Sequence, residues 1–162
     1  MLQNQTMRPF EEINAETKHL MPHAVIVEDE EALSVAFQMA LTQAGYYVQV
    51  IRDGRQALKH LKNISPRLLL LDLNLPGVSG ADILASIKEL PAYKDTHIFL
   101  VTANTRLAQE LEGSVDLVLE KPIGIKVLQR LAERYKPMRQ FKEQPIEPID
   151  IPNYPNIAPN YG

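Results

Sequence analysis

Glu28, Asp29, Asp72, Thr102 and Lys121 are the residues whose types and placement can do chemistry. Each stands at or just past the end of a short apolar run. The clearest case is Asp72, which closes Arg67-Leu68-Leu69-Leu70-Leu71-Asp72 and precedes Leu73-Asn74-Leu75-Pro76-Gly77. A short leucine run ended by a turn signal reads as a fully buried strand. The C-terminal ends of such strands are where open α/β sheets bind ligands. Three carboxylates gathered there repel one another, so protons or a hard divalent cation must sit among them. Oxygen ligands at an open edge favour magnesium, which keeps several waters and takes one or two carboxylates plus a phosphate oxygen. That set suits phosphoryl transfer, where catalysis is mostly positioning and charge neutralisation. Asp72 would be the nucleophile, Lys121 would neutralise one phosphoryl oxygen, and Thr102 would donate a hydrogen bond to another. Plainer explanations exist for each residue alone. Asp72 can simply start a turn, Glu28–Glu31 can be a solvated acidic helix start, and Lys121-Pro122 can open a loop.

The elements that must position these residues follow from apolar spacing. Ala24–Val27 is a short buried strand, and Glu30–Ala44 a helix with Leu33, Phe37, Ala40, Leu41 and Ala44 on one face, stopped at Gly45. Tyr47–Ile51 alternates as a strand, and Asp53–Asn63 reads as a helix with Ala57, Leu58 and Leu61 inward. After the Leu68 strand comes a helix from Ser79, then a strand over His97–Thr102 and a short helix over Thr105–Glu112. Val115–Leu119 is the fifth strand and Ile125–Tyr135 the last helix. Each parallel connection needs a crossover, so this alternation predicts a five-stranded, doubly wound parallel α/β sheet with helices on both faces. In strand order 2-1-3-4-5, strands one and three flank the switch point, which sets Asp29 beside Asp72.

Composition limits the remaining choices. The 162 residues make one domain with a real core, and 45% hydrophobic with 23% charged residues is a globular balance. A net charge of -3 predicts no nucleic-acid footprint. The absence of cysteine excludes disulfides, thiol catalysis and zinc–thiolate sites, and the four histidines show no metal-ligand spacing. No apolar stretch reaches membrane-spanning length and the first twenty residues lack a signal-peptide core, so a cytoplasmic protein is expected. The expected division is an N-terminal extension over 1–22, with a short helix over Glu11–Leu20, a folded domain over 23–136 and a tail over 137–162. That tail holds six of the twelve prolines, which excludes helix and central strand; Tyr154, Ile157 and Tyr161 would be its anchors if it docks.

Glu28-Asp29, Asp72 followed by Pro76 and Gly80, Thr102-Ala103 and Lys121-Pro122 together resemble the receiver domain of two-component response regulators. The resemblance covers about residues 23–136 and implies a flavodoxin-like fold. It implies Asp72 as phosphoacceptor, with Glu28, Asp29 and the backbone carbonyl of Asn74 holding Mg2+. It also implies that Thr102 senses the phosphoryl group, that Lys121 pairs with it, and that the peptide before Pro122 is cis. Pro76 and Gly80 would shape the loop after the acceptor strand. The implied partners are a sensor histidine kinase or a histidine phosphotransfer protein and an unknown output protein. The chain would then be a phosphoacceptor signalling protein rather than an enzyme, with its own phosphotransfer and dephosphorylation only.

Two positions depart from the family pattern. Val118 stands where members usually carry Tyr or Phe, a ring that swings inward when the threonine moves, and valine has no such ring to swing. Thr102 to Lys121 spans only 19 positions, and the shortening falls on the fourth helix and its following loop. A phosphorylation-independent binding scaffold on the receiver fold is therefore the competing expectation. A magnesium-dependent phosphohydrolase using Asp72-Leu73-Asn74 is a further one, although such enzymes place a second Asp where Asn74 stands. At 162 residues no room is expected for an attached output domain, so output would be binding. Val118, Leu119, Ile125 and Leu128 suggest a homodimer through the last strand and helix.

Overall fold

Leucine at four successive positions leaves no polar face, and Leu68–Asp72 (β3) is buried along its whole length at the centre of the sheet. The computed structural model describes residues 20–137. The helix expected over Glu11–Leu20, all but its last residue, and the proline-rich tail after Pro137 lie outside the described residues. Around β3 run His23–Val27 (β1), Tyr47–Ile51 (β2), His97–Thr102 (β4) and Leu117–Glu120 (β5). All pairings are parallel, in the order β2-β1-β3-β4-β5.

The helices are Glu31–Gln43 (α1), Gly54–Leu61 (α2), Gly80–Ile87 (α3), Thr105–Leu111 (α4) and Ile125–Arg134 (α5). Because side chains alternate along a strand, the sheet has two apolar faces. Val25, Val27, Leu69, Leu71 and Leu100 pack with Ala57 and Leu61 of α2 and with Ile83, Leu84 and Ile87 of α3. Ala24, Ile26, Leu68, Leu70 and Phe99 pack with Phe37 and Leu41 of α1 and with Leu128 and Ala132 of α5. The doubly wound expectation is borne out. Asp53 and Ser79 cap α2 and α3 by accepting from the backbone N–H of Gln56 and Asp82. Gly45 follows α1 at φ 88°, a left-handed conformation that glycine adopts without a Cβ clash.

The departures are local. Two 3-10 turns, Pro91–Tyr93 and Glu112–Ser114, occupy connections for which the apolar pattern gave no element. β5 begins at Leu117 rather than Val115, because the Asp116 carboxylate takes the Ile98 N–H at 2.8 Å. Leu128 is fully buried under α5, so it belongs to the core and not to a dimer face; Ile125 and Val127 are the exposed apolar residues of that helix.

Candidate functional site

Register brings the predicted residues to one edge. Val27 pairs with Leu71, so Glu28 and Asp72 are next along their strands. Asp72 pairs with Val101 and Thr102 with Glu120, which puts Thr102 and Lys121 at the same rim. Carboxylate oxygens of Glu28, Asp29 and Asp72 all lie within 4.8 Å of one another. Glu28 is 1% exposed, Asp72 3% and Thr102 0%. Lys121 closes the group: its Nζ donates to Asp72 Oδ2 at 2.8 Å and to Glu28 Oε2 at 2.9 Å.

The remaining contacts are backbone ones. Asp72 Oδ1 accepts from the Asn74 N–H at 2.9 Å, and Glu28 Oε1 from the Glu30 N–H at 3.3 Å. Thr102 Oγ1 accepts from the Asn104 N–H at 3.0 Å, and the Lys121 N–H donates to the Thr102 carbonyl at 2.9 Å. The Lys121–Pro122 peptide is cis, as the resemblance implies. Gly80 starts α3 directly beneath the end of β3. A Cβ there would collide with the Asp72 carbonyl oxygen and crowd Leu73 Cα at 2.8 Å, so only glycine lets α3 approach this closely.

Electrostatics show what the site lacks. Burial pushes the Glu28 carboxyl above the ordinary carboxylate range; the Lys121 hydrogen bond pulls it back only in part, and the Asp72 charge adds to the rise. Burial alone would lower the Lys121 ammonium, but its hydrogen bonds to Asp72 and Glu28 outweigh that, and its pKa is raised. One ammonium thus pairs with two of three clustered carboxylates, Asp72 and Glu28, and not with Asp29. The deficit is two positive charges, the charge of one divalent ion, and the donors are hard oxygens suited to magnesium. The residues fit that ion.

Residues 24–136 match the family profile of the response regulator receiver domain. The chain belongs to this family. Receivers are signalling domains, and this one shares 35% identity over 94 residues with the phosphate regulon transcriptional regulatory protein PhoB of Rhizobium meliloti, covering 58% of this chain and 41% of PhoB. It is 32% identical over 130 residues to the DNA-binding response regulator MtrA of Mycolicibacterium smegmatis, covering 78% of this chain and 55% of MtrA. The chain therefore spans about half the length of the curated relatives it matches. Among solved structures, a signal receiver domain of a putative Luxo repressor protein from Vibrio parahaemolyticus is 28% identical with a TM-score of 0.64, over 72% of this chain and 90% of that one. TrrA from Thermotoga maritima, solved in complex with Mg(2+)-BeF, is 25% identical with a TM-score of 0.63, over 71% of this chain and 99% of its own. No helix among the described residues is long and apolar enough to cross a membrane.

Arg52 is a part of this receiver's rim that no local pattern points to, and Asn104, a residue expected to orient a water, also takes a structural part. Arg52 follows β2 and reaches the Asp29 main chain. Asn104 links Thr102 to α4. The Asn104 signal was present, since Asn just before a helix is a common N-cap. For Arg52 there was none, because its partner lies 23 residues away.

Proposed function

We propose that this receiver, residues 23–136 between two extensions (1–22 and 137–162), accepts a phosphoryl group on Asp72 from a histidine kinase or histidine phosphotransfer protein. Magnesium held by Glu28, Asp29 and Asp72, with the Asn74 carbonyl, would neutralise phosphoryl oxygens when bound. The observation that carries this reading is Lys121 Nζ bridging Asp72 Oδ2 and Glu28 Oε2 beside the Asp29 carboxylate. Burial strips water from the Asp72 carboxylate, and the Asn74 N–H on Oδ1 fixes its orientation.

In the transfer an Asp72 carboxylate oxygen bonds to phosphorus while the bond from phosphorus to the donor nitrogen breaks, its electron pair returning to the imidazole. Lys121 leaves the carboxylate oxygen and pairs with a phosphoryl oxygen as a point charge. Thr102 donates its hydroxyl proton as a hydrogen bond to another. The acyl phosphate adds about -1.5 to -2 charge at the rim, and the receiver hands that state on through protein–protein contacts.

A small phosphodonor with Mg2+ should give an acid-stable, base-labile adduct, detected by intact mass. Asp72→Asn should abolish it, and no adduct from a small donor or from a cognate kinase would sink the proposal. The second reading, a scaffold whose binding ignores phosphorylation, is favoured by Val118. That residue is half-buried against the α2 and α3 face of the core and has no ring to swing. It predicts partner affinity unchanged by beryllofluoride.

A further inference from the structure

Four acidic residues in a row, Glu28–Glu31, make up the turn between β1 and α1 and the first residue of α1. Like charges crowded together there repel one another. The last rung holding it to β2 is the Glu28 N–H to the Ile51 carbonyl at 3.2 Å, and Glu30, at the N-cap of α1, makes no side-chain cap bond. The next residue of the neighbouring strand is Arg52. Its Nε and Nη2 both donate to the Asp29 carbonyl, at 3.3 and 3.1 Å, and its Nη1 lies 3.5 Å from Glu31 Oε2. The guanidinium thus grips the main chain of Asp29 and leaves the Asp29 carboxylate alone. Among the described residues no side chain pairs with that carboxylate.

We infer that Arg52 is a positioning residue for the cation site: it holds the Asp29 backbone so that the Asp29 carboxylate faces Glu28 and Asp72 unpaired. This rests on the reading of those three residues as magnesium ligands. A planar fork closing on one oxygen is a task for arginine, whose donors are rigidly spaced, and lysine offers only one ammonium. Outer partners of metal ligands commonly change metal affinity by about 10- to 100-fold when removed. Arg52 is half-exposed and screened, so the low end of that range applies.

The experiment has a sign that separates positioning from charge. Arginine is itself positive, so if it acts only through charge, its removal strengthens cation binding. Mg2+ is titrated into the full chain while the backbone amide shifts of Asp72–Asn74 are followed by NMR, for wild type, Arg52→Gln, Arg52→Lys and Asp29→Asn. We expect Arg52→Gln to bind Mg2+ about tenfold more weakly, with Arg52→Lys intermediate and amide exchange at Asp29–Glu31 faster without metal. Far-UV circular dichroism checks that each variant is folded. Unchanged or tighter Mg2+ binding by folded Arg52→Gln overturns the inference while leaving the magnesium reading standing. Wild-type shifts that do not respond to Mg2+, or that Asp29→Asn leaves unaltered, overturn that reading and this inference with it.

Discussion

At the scale of single residues, Glu28 is where fold and function pull apart. Its carboxyl is buried and its pKa is raised, because Lys121 returns less than burial takes away. In the unfolded chain it ionises near its ordinary 4.5, in the folded chain only at higher pH. Stability from this group is therefore full below pH 4.5 and falls as pH rises through the raised value. Glu28→Gln keeps the shape and drops the charge, so its thermal midpoint should exceed wild type at pH 7, with the gain fading toward pH 4.5 and reversing when Mg2+ is added at pH 7. Melting curves at the two pH values check this; an equal gain at both would contradict it. The type and order of Glu28, Asp29, Asp72, Thr102 and Lys121 were legible in the chain because each follows an apolar run. That Lys121 pairs with two buried carboxylates at once was not, since nothing local links residues 49 and 93 positions apart.

Among the elements, α4 is the one held most lightly. Of its seven residues only Ala108 is buried among those described, and Leu107 and Leu111 pack at the edge of the core. Its start depends on Asn104, whose side chain accepts from the Leu107 N–H at 3.1 Å while its own N–H donates to Thr102 Oγ1 at 3.0 Å. Two hydrogen bonds therefore connect the hydroxyl at the site to the cap of α4. Asn104→Ala should weaken this helix by about 1 kcal/mol. Hydrogen exchange would then rise over Thr105–Leu111 while β3 keeps its protection, whereas a uniform rise across the chain would mean that α4 is no separate unit. The central strands were legible because continuous leucine admits only a buried strand. Edge strand β5 was placed two residues early, since a half-buried strand carries a weaker pattern and the Asp116 side chain replaces part of its ladder.

For the whole molecule, two tyrosines tie distant parts together. Tyr46 donates to the Ala132 carbonyl at 3.0 Å, joining the turn after α1 to α5, and Tyr93 donates to the Leu61 and Ile64 carbonyls at 2.7 and 2.8 Å. Burial pushes the Tyr46 phenol up to about 12 and Tyr93 higher still. A raised folded value means that the stabilisation is present below pH 10 and is lost as pH rises toward about 12. Absorbance at 295 nm should show these two phenols ionising only as far-UV circular dichroism collapses; early titration of both in a folded chain would count against their burial. Tyr46→Phe should cost about 1 kcal/mol at neutral pH, read by urea unfolding. Neither tether could be read in advance, because a tyrosine in a connection between elements looks like any surface aromatic until its acceptor is known.

Apolar periodicity by itself determined the alternation of strands and helices, the doubly wound sheet and the set of residues at its C-terminal edge. It could do so because burial is encoded locally, one strand or helix turn at a time. Only the tertiary structure decided how those residues are charged and held. The shared Lys121, the two-charge deficit beside Asp29 and the Arg52 grip on the acidic turn all join residues far apart in the chain. Electrostatics and close packing depend on distance in space, and that distance exists only once the register of β1, β3, β4 and β5 has been set.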